Sequence, residues 1–256
     1  VAALAKTLTS RDHSREFSSN RYVYPVVSRR AAGVSVGINL NTNNACNWRC
    51  IYCQVPSLVR GKPEHIDLFD LEKELYLMLS DIKEGAFFEK FVPPHSRRLN
   101  DIALSGNGEP TASTQLRDVI GLVAKVKGQV LKNEEIKTIL ITNGSLLHSG
   151  ENPHILKDLA AQNGEVWFKL DRVTPGERKL VNSVDISLNR VRKNLALSAK
   201  SCPTWIQTCF FKLDGMEPGE NERSSYLSFL KECVDSSVEI AGVMIYNPTR
   251  ASHQPE

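Results

Sequence analysis

At 256 residues the chain is long enough to bury a large core, as one α/β domain or two smaller ones. Apolar residues make up 41% and charged residues 24%, an ordinary globular balance, and no apolar run approaches the ~20 residues that span a bilayer. A formal charge of +3 does not by itself argue for nucleic-acid binding, and the opening VAALAKTLTSRDHSREF is too polar for a secretory signal.

Residues 1–33 lack clear periodicity and read as an N-terminal extension. It is locally basic, with Arg11, Arg15, Arg21, Arg29 and Arg30 around Tyr22 and Tyr24. Such an arm is either a solvated, barrel-covering segment or a contact for phosphates with aromatics for stacking. Val34–Leu40 then alternates apolar with small or polar residues, a strand signal. Asn41–Pro56, reading NTNNACNWRCIYCQVP, follows from its C-terminal end.

Asp67 is placed to cap a helix in which Leu68, Leu71, Leu75, Met78, Leu79 and Ile82 recur at helical spacing. Phe87–Asn100 reads as a connection with a short turn at Pro93-Pro94. Ile102–Ser105 is a short buried strand running into Gly106–Pro110, and a helix covers about Ser113 to Lys127. Further strands are expected at Thr138–Thr142, Glu165–Leu170, Thr204–Phe211 and Val238–Tyr246. The intervening helices are Pro153–Gln162, Pro175–Lys200 with a break near Asn182-Ser183, and Glu220–Val234. The polar residues 247–256 form a tail. Six strands alternating with helices argue for βαβ units and a parallel sheet, either doubly wound or an incomplete barrel, with ligands at the C-terminal strand ends.

Cys46, Cys50 and Cys53 stand at the spacing Cys-x3-Cys-x2-Cys, with Tyr52 before the last. Thiolates suit iron–sulfur clusters or zinc, and close spacing lets one loop wrap one centre. A structural zinc site closes with four protein ligands, whereas a four-iron cluster on three cysteines leaves one iron open. Asn43, Asn44, Asn47 and Arg49 around them are loop residues rather than core. Six cysteines with three in one loop point to a reducing, cytoplasmic compartment rather than a disulfide frame.

This spacing resembles the signature of the radical S-adenosylmethionine (SAM) enzymes. The resemblance covers about residues 34–246 and implies a radical SAM core domain there, a partial (β/α)6 TIM-like barrel of parallel strands. It also implies a [4Fe-4S] cluster on Cys46, Cys50 and Cys53, with SAM chelating the open iron. Gly106-Asn107-Gly108-Glu109-Pro110 resembles the family's Gly-Gly-Glu-Pro motif, with Asn107 in place of its first glycine. That assigns Asn107, Gly108 and Glu109 to the SAM methionine, where glycine lets backbone approach ligand closely. Tyr52, beside the cluster, is assigned to the adenine pocket. Asn143 ends the third strand, where it would reach ligand or simply make a turn. Lys169 and Asp171 share a face by period two, either as a structural ion pair or as partners for the SAM carboxylate and ribose. Gln207 faces the same way as Trp205 and Cys209 and would bond ligand at the mouth. Cys202, Cys209 and Cys233 lie in different elements and read as core.

The segments VWFKLD and TWIQTCFFKLDG look like a branch of uncharacterised Fe–S oxidoreductases, distantly similar to tRNA wybutosine-synthase enzymes. No cysteine precedes Cys46, so the N-terminal cysteines for a second cluster in those enzymes are missing. The expected function is reductive cleavage of SAM and hydrogen abstraction from an unidentified substrate: a small molecule, a tRNA or a peptide. A reductant such as flavodoxin or ferredoxin is implied, and no membrane. The rival is a non-catalytic iron–sulfur or zinc protein, an electron carrier or RNA-binding module, with His65 the nearest fourth ligand.

Overall fold

The computed structural model describes residues 7–9, 17, 19–28, 33–132, 134–248 and 251–254; Arg11, Arg15, Arg29 and Arg30 of the basic arm lie outside the described residues. One seven-stranded sheet organises the rest: β1 (Val23–Ser28), β2 (Gly33–Ile38), β3 (Leu99–Leu104), β4 (Lys137–Thr142), β5 (Gly164–Lys169), β6 (Thr204–Cys209) and β7 (Ile240–Tyr246). The strands lie side by side in chain order, with β1 and β7 at the edges. From β2 to β7 every neighbouring pair is parallel. A parallel neighbour needs a crossover, and the crossovers are α1 (Leu68–Glu84), α2 (Phe87–Phe91), α3 (Leu116–Val130), α4 (Asn152–Ala160), α5 (Pro175–Asn182), α6 (Leu188–Ser201) and α7 (Glu220–Asp235). The six expected strands are the six parallel ones, in the arrangement of a partial (β/α)6 barrel.

β1 departs from expectation. It pairs antiparallel with β2, Val23 opposite Ile38 and Ser28 opposite Gly33, inside a stretch that reads as lacking periodicity. Pro25 obscures the strand in sequence, yet an edge strand tolerates proline because one row of its backbone groups needs no ladder partner. The Phe87–Asn100 connection likewise holds the single-turn α2 and a 3-10 turn at Pro94–Ser96.

Period-two alternation divides the sheet into two faces. Val36, Ile38, Ile102, Leu104, Leu140, Val166, Phe168 and Ile206 face the helices and pack with Leu71, Leu75, Leu79, Val119, Val123, Leu156 and Leu195 in the main core. The opposite, inner face carries Ala103, Ile139 and Trp167, with Ile141, Trp205 and Met244 against them. Helix ends follow local chemistry. The Asp67 side chain accepts from the backbone N–H of Phe69 and Asp70 to start α1. Ser183, at φ 55°, ends α5 in a left-handed turn and separates it from α6. No helix of the described residues is long and apolar enough to cross a membrane.

Candidate functional site

The C-terminal ends of β2 to β7 open onto a cavity of about 510 Å³. Cys46, Cys50, Cys53, Tyr52, Asn107, Gly108, Glu109, Asn143, Lys169 and Gln207 all line it. Of the site residues expected from sequence, Asp171 alone does not. Residues from four separate strand ends and one loop therefore meet at one mouth, as a shared ligand site requires.

The cysteine loop is held from several sides. Asn39, just after β2, accepts with Oδ1 from the backbone N–H of Asn41 and of Asn107, each at 3.0 Å. Asn41 Nδ2 donates to the Ala45 carbonyl at 2.8 Å. After β4, Asn143 Nδ2 donates to Asn47 Oδ1 at 2.9 Å, and Asn47 Nδ2 donates to Ser145 Oγ at the same length. After α5, the backbone N–H of Ile51 donates to the Val181 carbonyl at 2.9 Å and that of Arg49 to the Asn182 carbonyl at 3.3 Å. Residues of the tail close the far side: the His253 backbone N–H and Ser252 Oγ both donate to the Cys53 carbonyl, and Gln254 Nε2 donates to that of Val55.

Gly108 lies where backbone approaches backbone: a Cβ there would overlap the Ala45 carbonyl oxygen. Its neighbour Asn107 donates with Nδ2 to Asn44 Oδ1 at 2.6 Å, while its own Oδ1 is buried without a partner among the described residues. Glu109 faces inward as a buried hub. Its carboxylate accepts from the Thr111 backbone N–H and hydroxyl, the Thr142 hydroxyl and the Asn143 backbone N–H. Burial still raises its pKa against those four donors. Glu109 thus shapes the strand end and orients Asn143.

Lys169, at the end of β5, reaches the cavity with its Nζ 5.1 Å from the centroid of the Tyr52 ring. Burial acts to lower its pKa, but Tyr246, Cys50, Asp171 and Cys53 outweigh it, so the net shift is upward and the group is an ammonium. Among the described residues it has no ion-pair or hydrogen-bond partner. Gln207, opposite Lys169 on β6, has a buried Nε2 that is likewise without a partner. An ammonium without a hydrogen-bond partner and an unsatisfied amide donor side by side are what an acceptor-rich ligand would complete.

Asp171 takes another position because β5 stops at Lys169, so period two does not extend to it. It turns behind Tyr52: Oδ2 accepts from the Tyr52 hydroxyl at 2.5 Å and from Asn182 Nδ2 at 2.9 Å, and Oδ1 accepts from the Cys209 backbone N–H at 2.9 Å. Tyr52 also meets Phe211 edge to face, with centroids 5.6 Å apart. Burial pushes the Cys46 thiol up to about 12 and the Cys50 thiol up to about 11. Bound metal would have to displace those protons. Among the described residues, no three His, Cys, Asp or Glu side chains converge as a single-ion site. Cys202 and Cys233 are buried away from the cavity, and Cys209 lines it without joining the loop. Sequence reasoning missed Asn47 and Asn182. Asn47 lies within the loop itself, and Asn182 was visible only as a helix break.

No family model matches the chain. It is similar to the UPF0026 protein slr1464 of Synechocystis sp., 26% identical over 162 residues, covering 62% of this chain and 52% of that protein. It is also similar to the GTPase Obg of Brachyspira hyodysenteriae, 28% identical over 136 residues, covering 53% of this chain but 17% of that protein. The chain thus spans about half of one curated relative and a sixth of the other. Its sequence contains no Gly-x4-Gly-Lys-Ser/Thr phosphate loop. Among solved structures it resembles Streptococcus suis SuiB, with a TM-score of 0.54, 14% identity, and 87% of this chain and 42% of that one covered; the SuiB structure bound to S-adenosylmethionine gives the same values. It also resembles anSMEcpe with bound AdoMet, with a TM-score of 0.51 and 17% identity over 83% of this chain and 49% of that one. At these identities the likeness is one of fold.

Proposed function

We propose that the chain is a radical SAM enzyme that holds a [4Fe-4S] cluster on Cys46, Cys50 and Cys53 and binds SAM beside it. The observation that carries this reading is the convergence of the three loop cysteines, Lys169 and Gln207 on one cavity at the sheet mouth. The fold likeness to two proteins solved with SAM bound supports it. The residues fit the groups. Three soft thiolates from one loop share the cavity with a cation and amide groups, the donor chemistry that an iron–sulfur cluster and an acceptor-rich cofactor call for. Lys169 supplies the cation for the methionine carboxylate and Gln207 an amide donor. Asn107 offers a buried acceptor toward the methionine amino group, and Tyr52 walls the adenine side.

When bound, the cluster and SAM supply reductive cleavage of the sulfonium to a 5′-deoxyadenosyl radical for hydrogen abstraction. The chain's own residues bind, orient and enclose. Glu109 and Asn39 fix the backbone on which cofactor lies, the asparagines fix the loop, and the inner face beneath offers Trp167, Ala103 and Ile141 to a substrate. A small molecule, a tRNA or a peptide is the substrate, and a flavodoxin- or ferredoxin-type protein the reductant. The branch near the wybutosine-synthase enzymes rests on VWFKLD and TWIQTCFFKLDG alone and assigns no reaction.

Anaerobic reconstitution tests the reading. About four irons per chain are expected, with the absorption of a cubane, and 5′-deoxyadenosine on reduction with SAM. Alanine at Cys46, Cys50 or Cys53 should abolish iron uptake, whereas Cys209→Ala should not. Stoichiometric zinc in anaerobically purified protein, with no iron uptake, would refute it.

A further inference from the structure

We infer that Asn182, the last residue of α5, is a positioning residue that hydrogen-bonds the Cys50 thiolate and raises the reduction potential of the cluster; this rests on the cluster reading above. Asn182 is 2% exposed, and its Nδ2 lies 3.2 Å from Cys50 Sγ and 2.9 Å from Asp171 Oδ2. One amide nitrogen carries two hydrogens, one for each acceptor. Asp171 Oδ2 accepts from the amide nitrogen, and so fixes which end of the amide turns toward the sulfur. Asp171 is itself held by the Cys209 backbone N–H and the Tyr52 hydroxyl. The donor therefore belongs to a three-point buried network and not to a free side chain.

The backbone adds to this. The left-handed Ser183 ends α5 and leaves its last carbonyls free of intrahelical partners. Val181 and Asn182 give those carbonyls to the N–H groups of Ile51 and Arg49, the two residues flanking Cys50. Cys50 is thus gripped on both sides by the segment that carries the Asn182 amide. Cys46 Sγ receives a weaker bond, from the Trp48 backbone N–H at 3.4 Å, which no substitution can remove selectively. A donor to a thiolate stabilises the more negative state of a cluster, and hydrogen bonds to sulfur are among the determinants of its potential. Adding one electron makes the cluster more negative, so the bond strengthens on reduction.

The test is a potentiometric titration of reconstituted wild type and Asn182→Ala, with dithionite as the one-electron donor and EPR of the reduced cluster as readout. The variant should load iron as the wild type does but reduce with about a tenfold smaller equilibrium constant. For a one-electron couple that is a potential about 59 mV more negative. A merely structural asparagine would change loading or stability and leave the potential of the loaded fraction in place. A loaded variant with the wild-type potential would overturn the inference. Should the variant not load, wild type labelled with ¹⁵N at asparagine decides: a hyperfine coupling to the reduced cluster supports the bond, and its absence removes it. A wild type that takes up no iron defeats the cluster reading, and Asn182 with it, before any variant is compared.

Discussion

Replacing Gly108 by alanine tests whether the turn after β3 and the cysteine loop are one rigid assembly. An ideal Cβ at Gly108 overlaps the Ala45 carbonyl oxygen and lies 2.5 Å from Asn41 Nδ2 and 2.7 Å from Asn41 Cγ. Two of these are the partners of the Asn41–Ala45 hydrogen bond, so relieving the clash opens that bond. Overpacking of a well-filled site costs roughly 1–3 kcal/mol and a lost hydrogen bond about 1 kcal/mol more, giving about 2–4 kcal/mol in all. Urea unfolding of the cluster-free protein reads this directly as a lower midpoint at unchanged slope. Ala45 precedes Cys46, so iron uptake should fall in parallel. Gly121→Ala is the control: it lies in α3, its Cβ would meet nothing within 4 Å, and helix propensity favours alanine by about 1 kcal/mol. A Gly108→Ala protein within about 0.5 kcal/mol of wild type, the scatter of neutral surface changes, would refute the assembly.

Other outcomes are expected from the same geometry. Lys169→Ala should weaken SAM binding by about 1.5–3 kcal/mol, the range for a hydrogen bond to a charged group. Calorimetry would read this as roughly ten- to a hundredfold in Kd with the cluster still assembled, and unchanged affinity would remove the lysine from the site. Asp171→Ala leaves the Tyr52 hydroxyl and the Cys209 N–H without their acceptor in the interior and removes one of the two acceptors of Asn182 Nδ2; at about 1–3 kcal/mol for each unsatisfied group, its unfolding midpoint should fall further than that of Lys169→Ala. Lys127 Nζ donates to Thr138 Oγ1 and the Gln162 carbonyl, and burial lowers its pKa. The folded state therefore loses that proton first as pH rises, so stability should climb between the lowered value and the unfolded value of about 10.4. Lys127→Met should flatten that climb in urea unfolding across pH.

Much of the fold was legible because its signals are local. Runs such as Ile139–Thr142 and Val166–Phe168, bounded by turn residues, could only be buried strands, and Asp67 with its leucines at helical spacing marked α1. β1 was hidden by Pro25, whose exclusion from strands lapses at a sheet edge. The three cysteines, the motif after β3 and Lys169 were legible because spacing and strand ends alone locate them. The pairing of Lys169 with Asp171 was not, since period two holds only while the strand lasts and β5 ends one residue after Phe168. Asn47 and Asn182 carry no spacing signal. Their role comes from which carbonyl or sulfur they meet across the fold, and that is a property of the assembled sheet.

The anchors of the cysteine loop come late in the chain. Asn143 reaches Asn47 from 96 residues away, Asn182 reaches Cys50 from 132, and Ser252 reaches Cys53 from 199. At translation rates of ~5–20 residues per second, Cys50 emerges from the ribosome roughly 7–26 s before Asn182 emerges to meet it, given that 132-residue separation. Throughout that interval the three thiols lack the partners that the later residues bring to the loop. It is then at its most open to oxidation and to capture of whatever thiophilic ion is at hand. On the proposed cluster reading, loading belongs after the later anchors have met the loop, and the yield of loaded protein should follow the redox state and iron supply during synthesis as much as the stability of the finished fold.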